Sequence, residues 1–237
     1  MREREKIVVL SGAGVSAESG IKTFRGSDGL WEGHDVMEVA SPEGFARDPE
    51  LVLHFYNLRR AQLFEVEPNE GHRALARLEE RYDVQIITQN VDDLHERAGS
   101  SKVLHLHGEL RKARSVDDPN LIIDWEGPLN LGEQGPDGAQ LRPHIVWFGE
   151  QVPMISRAAA LTALADYLIV VGTSLQVYPA AGLVAEAPFG CPVILVDPDA
   201  TGLSRSYTPG LGQRLELIDE GAATGLPRLV DRLLNAP

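Results

Sequence analysis

The chain has 237 residues, 43% of them hydrophobic, which suits one larger domain or one domain with a small insertion. Its 22 Lys and Arg residues against 35 Asp and Glu residues give a formal net charge of −13. This charge argues against nucleic-acid binding and either attracts basic partners, such as lysine-rich peptides, or simply keeps the chain soluble.

Short apolar segments alternate with helical segments along the chain. The predicted strands are Ile7–Leu10, Val84–Thr88, Val103–Leu106, Tyr167–Val171, Val193–Val196 and, more weakly, Leu215–Ile218. The predicted helices are Pro49–Phe64, Asn69–Tyr82, Val91–Ala98, Pro153–Ala165, Pro179–Ala187 and Leu226–Leu234. This alternation predicts an α/β fold, in which helices cover both faces of a parallel sheet.

Two regions interrupt the alternation: residues 22–64 contain a loop and a helical excursion, and residues 111–142 are rich in Gly and Pro. The second region is typical of a small module inserted into the main fold. The single Cys191 excludes an internal disulfide and a cysteine-rich zinc site. With no signal peptide and no apolar run of ~20 residues, we expect a cytoplasmic protein without a membrane partner.

Residues 12–20 (GAGVSAESG) follow the first predicted strand and form a glycine-rich turn ahead of a helix. Glycines let the backbone approach an anion, and the helix N-terminus faces its charge, so this segment predicts a pyrophosphate site. The acidic residue of ordinary dinucleotide folds does not follow; Phe24 and Arg25 do, within the sequence TFRG. These two residues either cover a ligand or belong to an incidental loop.

Gln89, Asn90 and Asp92 directly follow the second predicted strand. Amide and carboxylate side chains at a strand end can form paired hydrogen bonds with a ligand carboxamide. Helix capping is the alternative, because Asn90 is a good N-cap and an acidic residue suits a first turn. Capping alone does not explain why the three residues cluster.

His105 and His107 share one face of the third predicted strand. They form a metal pair, although no third ligand is apparent nearby, or they are structural histidines. The third interpretation concerns His107, which lies at the strand end before Gly108. A histidine there is the natural general base near neutral pH.

Two more segments follow the insertion and the fourth strand. Residues 143–150 (PHIVWFGE) form an extended edge that a peptide can join, or they pack Trp147 and Phe148 into the core. Residues 172–174 (GTS) place small hydroxyl side chains at a strand end. These suit either a ribose or phosphate contact or a helix-capping turn.

Tyr56 and Arg59 lie three residues apart in a predicted helix and therefore on one face. A guanidinium binds a carboxylate through two hydrogen bonds and a phenol adds another, so the pair is a candidate carboxylate site. The alternative is an exposed helix face with a half-buried tyrosine, an interpretation that the neighbouring Arg60 supports.

Together these segments resemble the sirtuin family of NAD-dependent protein-lysine deacylases. The matching segments are GAGVSAESGI with TFRG, TQNVDDLHERAG, LHGEL, RPHIVWFGE and GTSLQVYPAAGL, in family order, within residues 6–234. The resemblance implies one sirtuin-type domain over residues 1–237, with a Rossmann-type doubly wound parallel sheet and a small inserted module. Its implied parts are a Rossmann domain (about 1–22, 65–110 and 143–237), a helical excursion (23–64) and a small zinc-free module (111–142).

The resemblance also implies residue roles. The implied NAD-binding residues are Gly12, Ala13, Gly14, Ser16, Phe24, Arg25, Gln89, Asn90, Asp92, Gly172, Thr173, Ser174, Asp197 and Ala222. The implied substrate residues, which line the acyl-lysine tunnel or contact its acyl group, are Tyr56, Arg59, Val146, Phe148 and Gly149. His107 is the implied general base, and Asn90 and Asp92 complete the implied catalytic set.

The chemistry that the resemblance implies is acyl transfer from lysine to ADP-ribose. The acyl oxygen is a weak nucleophile, so nicotinamide leaves with much oxocarbenium character on the ribose. Proximity in a closed tunnel supplies much of the rate. His107 then takes a proton from a ribose hydroxyl, which attacks the imidate carbon, and water completes the reaction. The products are free lysine, nicotinamide and O-acyl-ADP-ribose.

The Tyr56 and Arg59 pair resembles the CobB-type, desuccinylase-like branch of the family, where it recognises the carboxylate of succinyl or malonyl groups. We therefore expect acyl-lysine proteins or peptides as substrates, with acidic acyl groups and also acetyl groups. The main alternative is an NAD hydrolase or ADP-ribosyl transferase on the same scaffold. The second is a non-catalytic NAD- or peptide-binding module, against which Asn90, Asp92 and His107 argue together.

The chain departs from the family pattern in two places. Most sirtuins bind structural zinc through two cysteine pairs, whereas residues 111–142 contain no cysteine, and Ser115 stands about where the first would be. The aspartates of this segment are a poor replacement, so we expect no metal and a module held by packing alone. Asp197 replaces an Asn-containing turn and can still accept a hydrogen bond from an adenosine ribose.

Overall fold

The computed structural model describes residues 4–22, 30–31, 33–207 and 214–236. Its strands are β1 (Lys6–Ser11), β2 (Leu30–Trp31), β3 (His34–Asp35), β4 (Asp83–Thr88), β5 (Val103–His105), β6 (Gly108–Ser115), β7 (Ile122–Asp124), β8 (Leu141–Ile145), β9 (Tyr167–Val171), β10 (Val193–Val196) and β11 (Leu215–Ile218). Its α-helices are α1 (Gly14–Ala17), α2 (Val36–Val39), α3 (Pro42–Arg47), α4 (Pro49–Leu63), α5 (Glu70–Arg77), α6 (Leu94–Arg97), α7 (Ile155–Thr162), α8 (Ala200–Tyr207) and α9 (Ala222–Leu234). Short 3₁₀ helices span Leu78–Glu80 and Ala180–Glu186.

Six parallel strands form the main sheet in the order β11–β10–β9–β1–β4–β5. The chain runs outward from β1 through β4 to β5 and then returns to place β9 on the other side of β1. At the centre, Val9 lies opposite Ile86 on β4 and Ile169 on β9. The predicted Rossmann-type doubly wound sheet is confirmed, and its order reverses between β1 and β9, where such sheets bind ligands.

Both faces of the main sheet are buried. On β1, Ile7 and Val9 contribute to a core shared with α5 and α9, whereas Val8 and Leu10 contribute to a second core shared with α7 and the 3₁₀ helix Ala180–Glu186. A strand that is buried on both faces has no alternation of polar and apolar residues. This explains the continuous apolar runs of the predicted strands.

The predicted boundaries of strands and helices agree best with the structure where the local sequence pattern determines them. The last three predicted strands match β9, β10 and β11 residue for residue, whereas the predicted helix Pro179–Ala187 forms only a 3₁₀ helix. The predicted helix Leu226–Leu234 begins earlier, at Ala222, because the Glu18 carboxylate accepts a hydrogen bond from the Ala223 amide over 2.7 Å. None of the described helices is both long and apolar enough to cross a membrane.

Helix α4 joins the helical excursion to the insertion. The insertion is an antiparallel sheet in the order β7–β6–β8, and its pairing begins at Gly108 opposite Ile145, outside the predicted limits of 111–142. The buried Arg60 donates through Nε to the Leu110 carbonyl over 2.7 Å and through Nη1 to Asn57 Oδ1 over 2.9 Å. The Arg60 side chain is therefore a structural link, rather than part of an exposed helix face.

A hydroxyl group organises the loops of the insertion. Ser115 Oγ donates to Asp137 Oδ2 over 2.5 Å and accepts from the amides of Asp117 and Asp118 over 3.0 and 3.2 Å. Within the described ranges, no three His, Cys, Asp or Glu side chains are grouped so that they could hold a metal ion. The residues of the insertion thus do not fit a structural zinc site, and Ser115 supplies polar contacts in addition to packing.

We expect Ser115→Ala to lower the free energy of unfolding by about 1–2 kcal/mol, because the two loop amides and Asp137 lose their partner. We expect EDTA to leave the melting temperature of the wild type unchanged. Thermal melts followed by circular dichroism test both expectations. Ser101→Ala, which removes an exposed hydroxyl from Glu79, is the matched control and should change little. A melting temperature lowered by EDTA would contradict the metal-free interpretation.

Candidate functional site

The predicted polar segments meet at the carboxyl edge of the main sheet. Gln89 follows β4, and its main-chain N–H group donates to the Ser11 carbonyl over 2.9 Å, at the end of β1. Its side chain donates through Nε2 to Thr173 Oγ1 over 3.0 Å, just beyond the end of β9. Asp197 follows β10, beside β9. These strand ends therefore lie side by side across the switch point, and the space outside them is the crevice in which sheets of this kind bind ligands.

The glycine turn after β1 packs directly on the turn after β9. The Gly14 amide donates to the Gly172 carbonyl over 2.8 Å, and a Cβ on Gly14 would lie 2.6 Å from the Gly172 Cα. Gly172 has a φ of +61°, and a Cβ there would lie 2.3 Å from the Val15 nitrogen. Any larger residue at either position would separate the two turns.

Most main-chain N–H groups of the glycine turn already have protein partners. Few of them are therefore available to the pyrophosphate that the sequence predicts here. The amides of Gly12, Gly14, Val15 and Ser16 all donate to protein carbonyls. Among the described contacts, the amide of Ala13 has no protein acceptor, and no side chain caps α1. An anion in this crevice would therefore meet the Ala13 amide and neighbouring side chains rather than a full ring of backbone amides.

Ser16 is the centre of a buried hydrogen-bond network. Its Oγ donates to Asp92 Oδ2 over 2.9 Å and accepts from Asn90 Nδ2 over 3.0 Å. Asp92 Oδ1 accepts from the Leu94 amide over 3.2 Å. Burial raises the pKa of Asp92, although the hydrogen bonds from Leu94 and Ser16 act in the opposite direction.

The structure tests the helix-capping alternative at residues 89–92, whereas ligand binding there stays a prediction. Asn90 does not cap a helix, because α6 begins only at Leu94 and its N-cap residue is Asp93. The capping interpretation is therefore wrong for Asn90 and half correct for Asp92, which binds both the helix and Ser16. The predicted helix Val91–Ala98 is shortened because these side chains are used elsewhere.

Two buried histidines complete the network, and sequence reasoning missed both. His72 Nδ1 accepts from the Asn69 amide over 3.3 Å, so Nε2 carries the hydrogen and donates to Ser16 Oγ over 3.4 Å. His95 Nε2 lies 2.9 Å from Ser11 Oγ, and the two imidazole rings are 5.0 Å apart. Burial lowers the pKa of His72 to about 4 and also lowers that of His95, so both rings are neutral. Their only sequence signal is a histidine on the apolar side of a short helix.

The predicted histidine pair separates into two different roles. His105 has both nitrogens occupied, Nδ1 by the Asn90 carbonyl at 3.0 Å and Nε2 by Glu96 Oε1 at 2.8 Å. The His107 Nδ1–H group donates to the Gln89 carbonyl over 3.1 Å, which leaves Nε2 as the basic nitrogen. Burial lowers the pKa of His107. Because both His105 nitrogens are bonded within the protein, the arrangement argues against a metal pair. The role of His107 as a general base stays a prediction.

Tyr56 and Arg59 are buried, with 0% and 7% of their surface exposed, so the interpretation as an exposed helix face is wrong. The Tyr56 hydroxyl accepts from Trp147 Nε1 over 3.0 Å. The Arg59 guanidinium carbon lies 5.5 Å from the ring centroid of Trp31. The two side chains have fixed positions beside the aromatic core of the helical excursion.

Residues 146–149 continue beyond β8 without forming a strand. The Val146 amide donates to the His107 carbonyl over 2.9 Å, and the Phe148 amide donates to the Ala40 carbonyl over 2.9 Å. Trp147 is buried as the packing alternative predicted, whereas Phe148 is 41% exposed and Gly149 is exposed. Substrate contact by Val146, Phe148 and Gly149 stays a prediction.

The remaining predicted cofactor residues have varied surroundings. Ser174 is exposed, and Asp197 Oδ1 accepts from the Asp199 amide over 2.9 Å. Ala222 begins α9, and its side chain is buried in the core rather than in the crevice. Phe24 and Arg25 lie outside the described residues.

The chain is similar to known proteins over nearly its whole length. A sequence model of the Sir2 family matches residues 12–179. A Helicobacter pylori protein named NAD-dependent protein deacylase is 56% identical over 231 residues, which cover 98% of each chain. A Bacteroides thetaiotaomicron protein of the same name is 49% identical over 239 residues, covering 98% of this chain and 100% of that protein.

Solved structures agree with these relatives. A Sir2 homologue in complex with NAD has a TM-score of 0.85 and 41% identity, covering 98% of this chain and 90% of that one. A Sir2 complex with a p53 peptide and NAD⁺ has a TM-score of 0.71 and 30% identity, covering 98% and 93%. The similarity therefore extends to the whole fold.

The ion pair of His105 and Glu96 predicts a pH-dependent stability. Burial lowers the pKa of His105, but the hydrogen bond and charge of Glu96 outweigh it, so the pKa rises above 6.5. Burial raises the pKa of Glu96, but His105 outweighs it, so that pKa falls below 4.5. The stabilisation that comes from His105 is complete below pH 6.5 and is lost as the pH rises through the pKa of His105 in the folded protein. The stabilisation that comes from Glu96 is present above pH 4.5.

We therefore expect Glu96→Gln to destabilise the protein most between pH 4.5 and 6.5. Because 40% of the Glu96 side chain is exposed, the loss should be only about 0.5–1 kcal/mol. Urea unfolding over this pH range measures it. Glu67→Gln, which removes an exposed partner of Arg97, should show no such pH window. A loss of equal size at every pH would contradict the titration of His105.

Proposed function

Because this chain belongs to the Sir2 family, we propose that it is an NAD-dependent protein deacylase that transfers acyl groups from protein lysines to ADP-ribose. The observation that carries the proposal is His107. Its Nδ1 is held by the Gln89 carbonyl and its Nε2 is left basic, at the end of the strand beside β4. A neutral, oriented imidazole in this place suits proton abstraction from a sugar hydroxyl.

The crevice supplies the contacts that NAD requires. NAD provides the ribose carbon from which nicotinamide departs and to which the acyl oxygen becomes bonded. Asn90 and Asp92 present an amide and a carboxylate, and both side chains are fixed by Ser16. An amide and a carboxylate so placed can form hydrogen bonds with the nicotinamide carboxamide and its ribose. On the other side of β1, Thr173 and Ser174 offer hydroxyls to the adenosine half.

Each side chain in this arrangement has one task. Ser16 orients Asn90 and Asp92, because its hydroxyl uses one donor and two acceptor positions on fixed partners. His107 Nε2 would accept the proton of a sugar hydroxyl when NAD is bound. The buried, neutral His72 and His95 contact Ser16 and Ser11 at the base of the network. Such fixed donors require little reorganisation during reaction.

The acyl group that fits best carries a carboxylate. Tyr56 and Arg59 are buried on one face of α4, so a carboxylate that reached them would lose its water and depend on their hydrogen bonds. Burial raises the pKa of Tyr56, which keeps the phenol protonated as a donor. We therefore propose succinyl- and malonyl-lysine as preferred substrates, with acetyl-lysine also accepted.

The substrates are acyl-lysine peptides or proteins. The net charge of −13 attracts lysine-rich segments, and the related Sir2 complex with a p53 peptide supports peptide binding by this fold. An NAD hydrolase would use the same crevice but would not need Tyr56 and Arg59, the acyl-reading pair that recognises the acyl group. The buried Tyr56 and Arg59 favour the deacylase. A cytoplasmic location stays a prediction from the sequence.

We expect His107→Asn to lower the peptide-dependent formation of O-acyl-ADP-ribose by about 10²–10⁴-fold, because the general base is removed. Mass spectrometry of NAD incubated with acyl-lysine peptides measures the product. His54→Asn, which changes an exposed histidine of α4, is the matched control and should leave the rate unchanged. Nicotinamide release that needs no peptide would instead indicate an NAD hydrolase.

If His107 is the base, its protonation sets the acid limb of the dependence of kcat/KM on pH. Burial lowers the pKa of His107 below 6.5, so its neutral form persists into mildly acidic solution. We expect the acid limb of kcat/KM to lie below pH 6.5 and to disappear in His107→Asn. An acid limb above that pH would contradict the assignment of His107.

We expect Arg59→Met to lower kcat/KM for a succinyl-lysine peptide by about 10–100-fold while changing that for the matched acetyl-lysine peptide little, because a charged hydrogen-bond partner is lost. Arg59→Lys should recover only part of the preference, since an ammonium cannot reproduce the two-point contact. Arg73→Met, an exposed arginine paired with Glu70, is the control. An unchanged ratio of succinyl to acetyl activity in Arg59→Met would contradict carboxylate recognition.

A further inference from the structure

Trp147 makes a directional contact with the predicted acyl-reading pair. Its Nε1–H group donates to the Tyr56 hydroxyl oxygen over 3.0 Å, and both residues are almost fully buried. An indole N–H can only donate, so the tyrosine oxygen is the acceptor in this bond. The Tyr56 hydrogen must then point away from Trp147. Within the described part of the chain, no protein acceptor receives that hydrogen.

Contacts to the main chain of Trp147 and to its ring hold the indole in place. The Arg142 guanidinium carbon lies 3.2 Å from the ring centroid, and its Nη1 donates to Glu150 Oε1 over 2.7 Å. Glu150 Oε2 accepts from the Trp147 amide over 2.8 Å, and Phe45 packs on the ring with centroids 5.3 Å apart. These contacts leave the indole little freedom to rotate, so the direction of its N–H group is set.

The phenol that receives this bond is a permanent donor. Burial raises the pKa of Tyr56 above its ordinary value, so the phenol is protonated near neutral pH. Arg59 lies on the same helix face, and its positive charge is close enough to influence Tyr56. A carboxylate that enters between the two would accept the phenol hydrogen on one oxygen and the guanidinium hydrogens on the other.

We propose that Trp147 is a positioning residue for acyl selectivity, which turns the Tyr56 hydroxyl hydrogen toward the distal carboxylate of an acidic acyl-lysine. The proposal rests on the function proposed above, in which Tyr56 and Arg59 recognise that carboxylate. It adds a residue from the segment after β8 to a site otherwise formed by α4. Acyl selectivity is then a property of two segments that lie 91 positions apart.

The test is Trp147→Phe, which keeps an aromatic ring but removes the N–H donor together with the rest of the five-membered ring. We expect KM for a succinyl-lysine peptide to rise about 5–10-fold with little change in kcat, because binding of the remote carboxylate contributes equally to ground and transition states. Kinetic constants for the matched acetyl-lysine peptide should stay within about twofold of wild type. A purely structural role would lower activity on both peptides.

A double-mutant cycle isolates the interaction. Tyr56→Phe should raise the succinyl KM by a similar factor, and adding Trp147→Phe to it should have no further effect, because the hydroxyl to be positioned is already absent. Additive effects of the two substitutions would overturn the proposal. Equal losses on the acetyl and succinyl peptides in Trp147→Phe would also overturn it.

A second measurement does not depend on the folding of the Trp147 variant. In ¹⁵N-labelled wild type, the indole N–H signal of Trp147, assigned by elimination from the three tryptophans, should shift on binding a succinyl peptide but not an acetyl peptide. The shift should vanish in Tyr56→Phe. No shift with the succinyl peptide would overturn the proposal.

The Arg59→Met experiment separates this inference from the proposed function. If Arg59→Met abolishes the succinyl preference and Trp147→Phe leaves it intact, the acyl assignment stands and the positioning role is overturned. If Arg59→Met leaves the acyl preference unchanged, the carboxylate assignment itself fails, and the positioning role fails with it.

Discussion

The functional crevice depends on the close contact between two turns at the switch point of the sheet. Gly14 and Gly172 approach so closely that a Cβ on either would overlap the backbone of the other turn. This contact joins the ends of β1 and β9 and lets Gln89 reach Thr173 from the next strand. Separating the turns would therefore disturb the bond between Gln89 and Thr173 and the packing of the glycine turn.

Above that contact, the site is built from neutral buried groups rather than buried charges. His72 and His95 stay uncharged because burial lowers the pKa of each, and they pack beneath Ser16 and Ser11. Asp92 is the exception, and its carboxyl is held by Ser16 and the Leu94 amide. Most polar atoms of this network have a partner, although the buried His95 Nδ1 has none among the described residues. Hydrogen bonds between fixed groups favour a rigid site, which suits an amide and a carboxylate that must both face one ligand.

Helix α4 connects the acyl-reading residues to the insertion. One face carries Tyr56 and Arg59, and the adjacent Arg60 and Asn57 bind the backbone of the insertion. The insertion contains no cysteine, polar links of this kind hold it against the helix, and the Ser115 contacts organise its own loops.

Local patterns in the sequence were sufficient for the doubly wound sheet, the glycine turn, the strand-end polar segments and the identification of His107 as a candidate base. Each is encoded within a few neighbouring residues, as a continuous apolar run or a polar segment after a strand. Contacts between distant residues decided the rest: Glu18 caps α9 across 205 positions, His72 bonds to Ser16 across 56, and Trp147 bonds to Tyr56 across 91. No local pattern records such pairs, because their energy exists only once the chain has folded and excluded water from both partners.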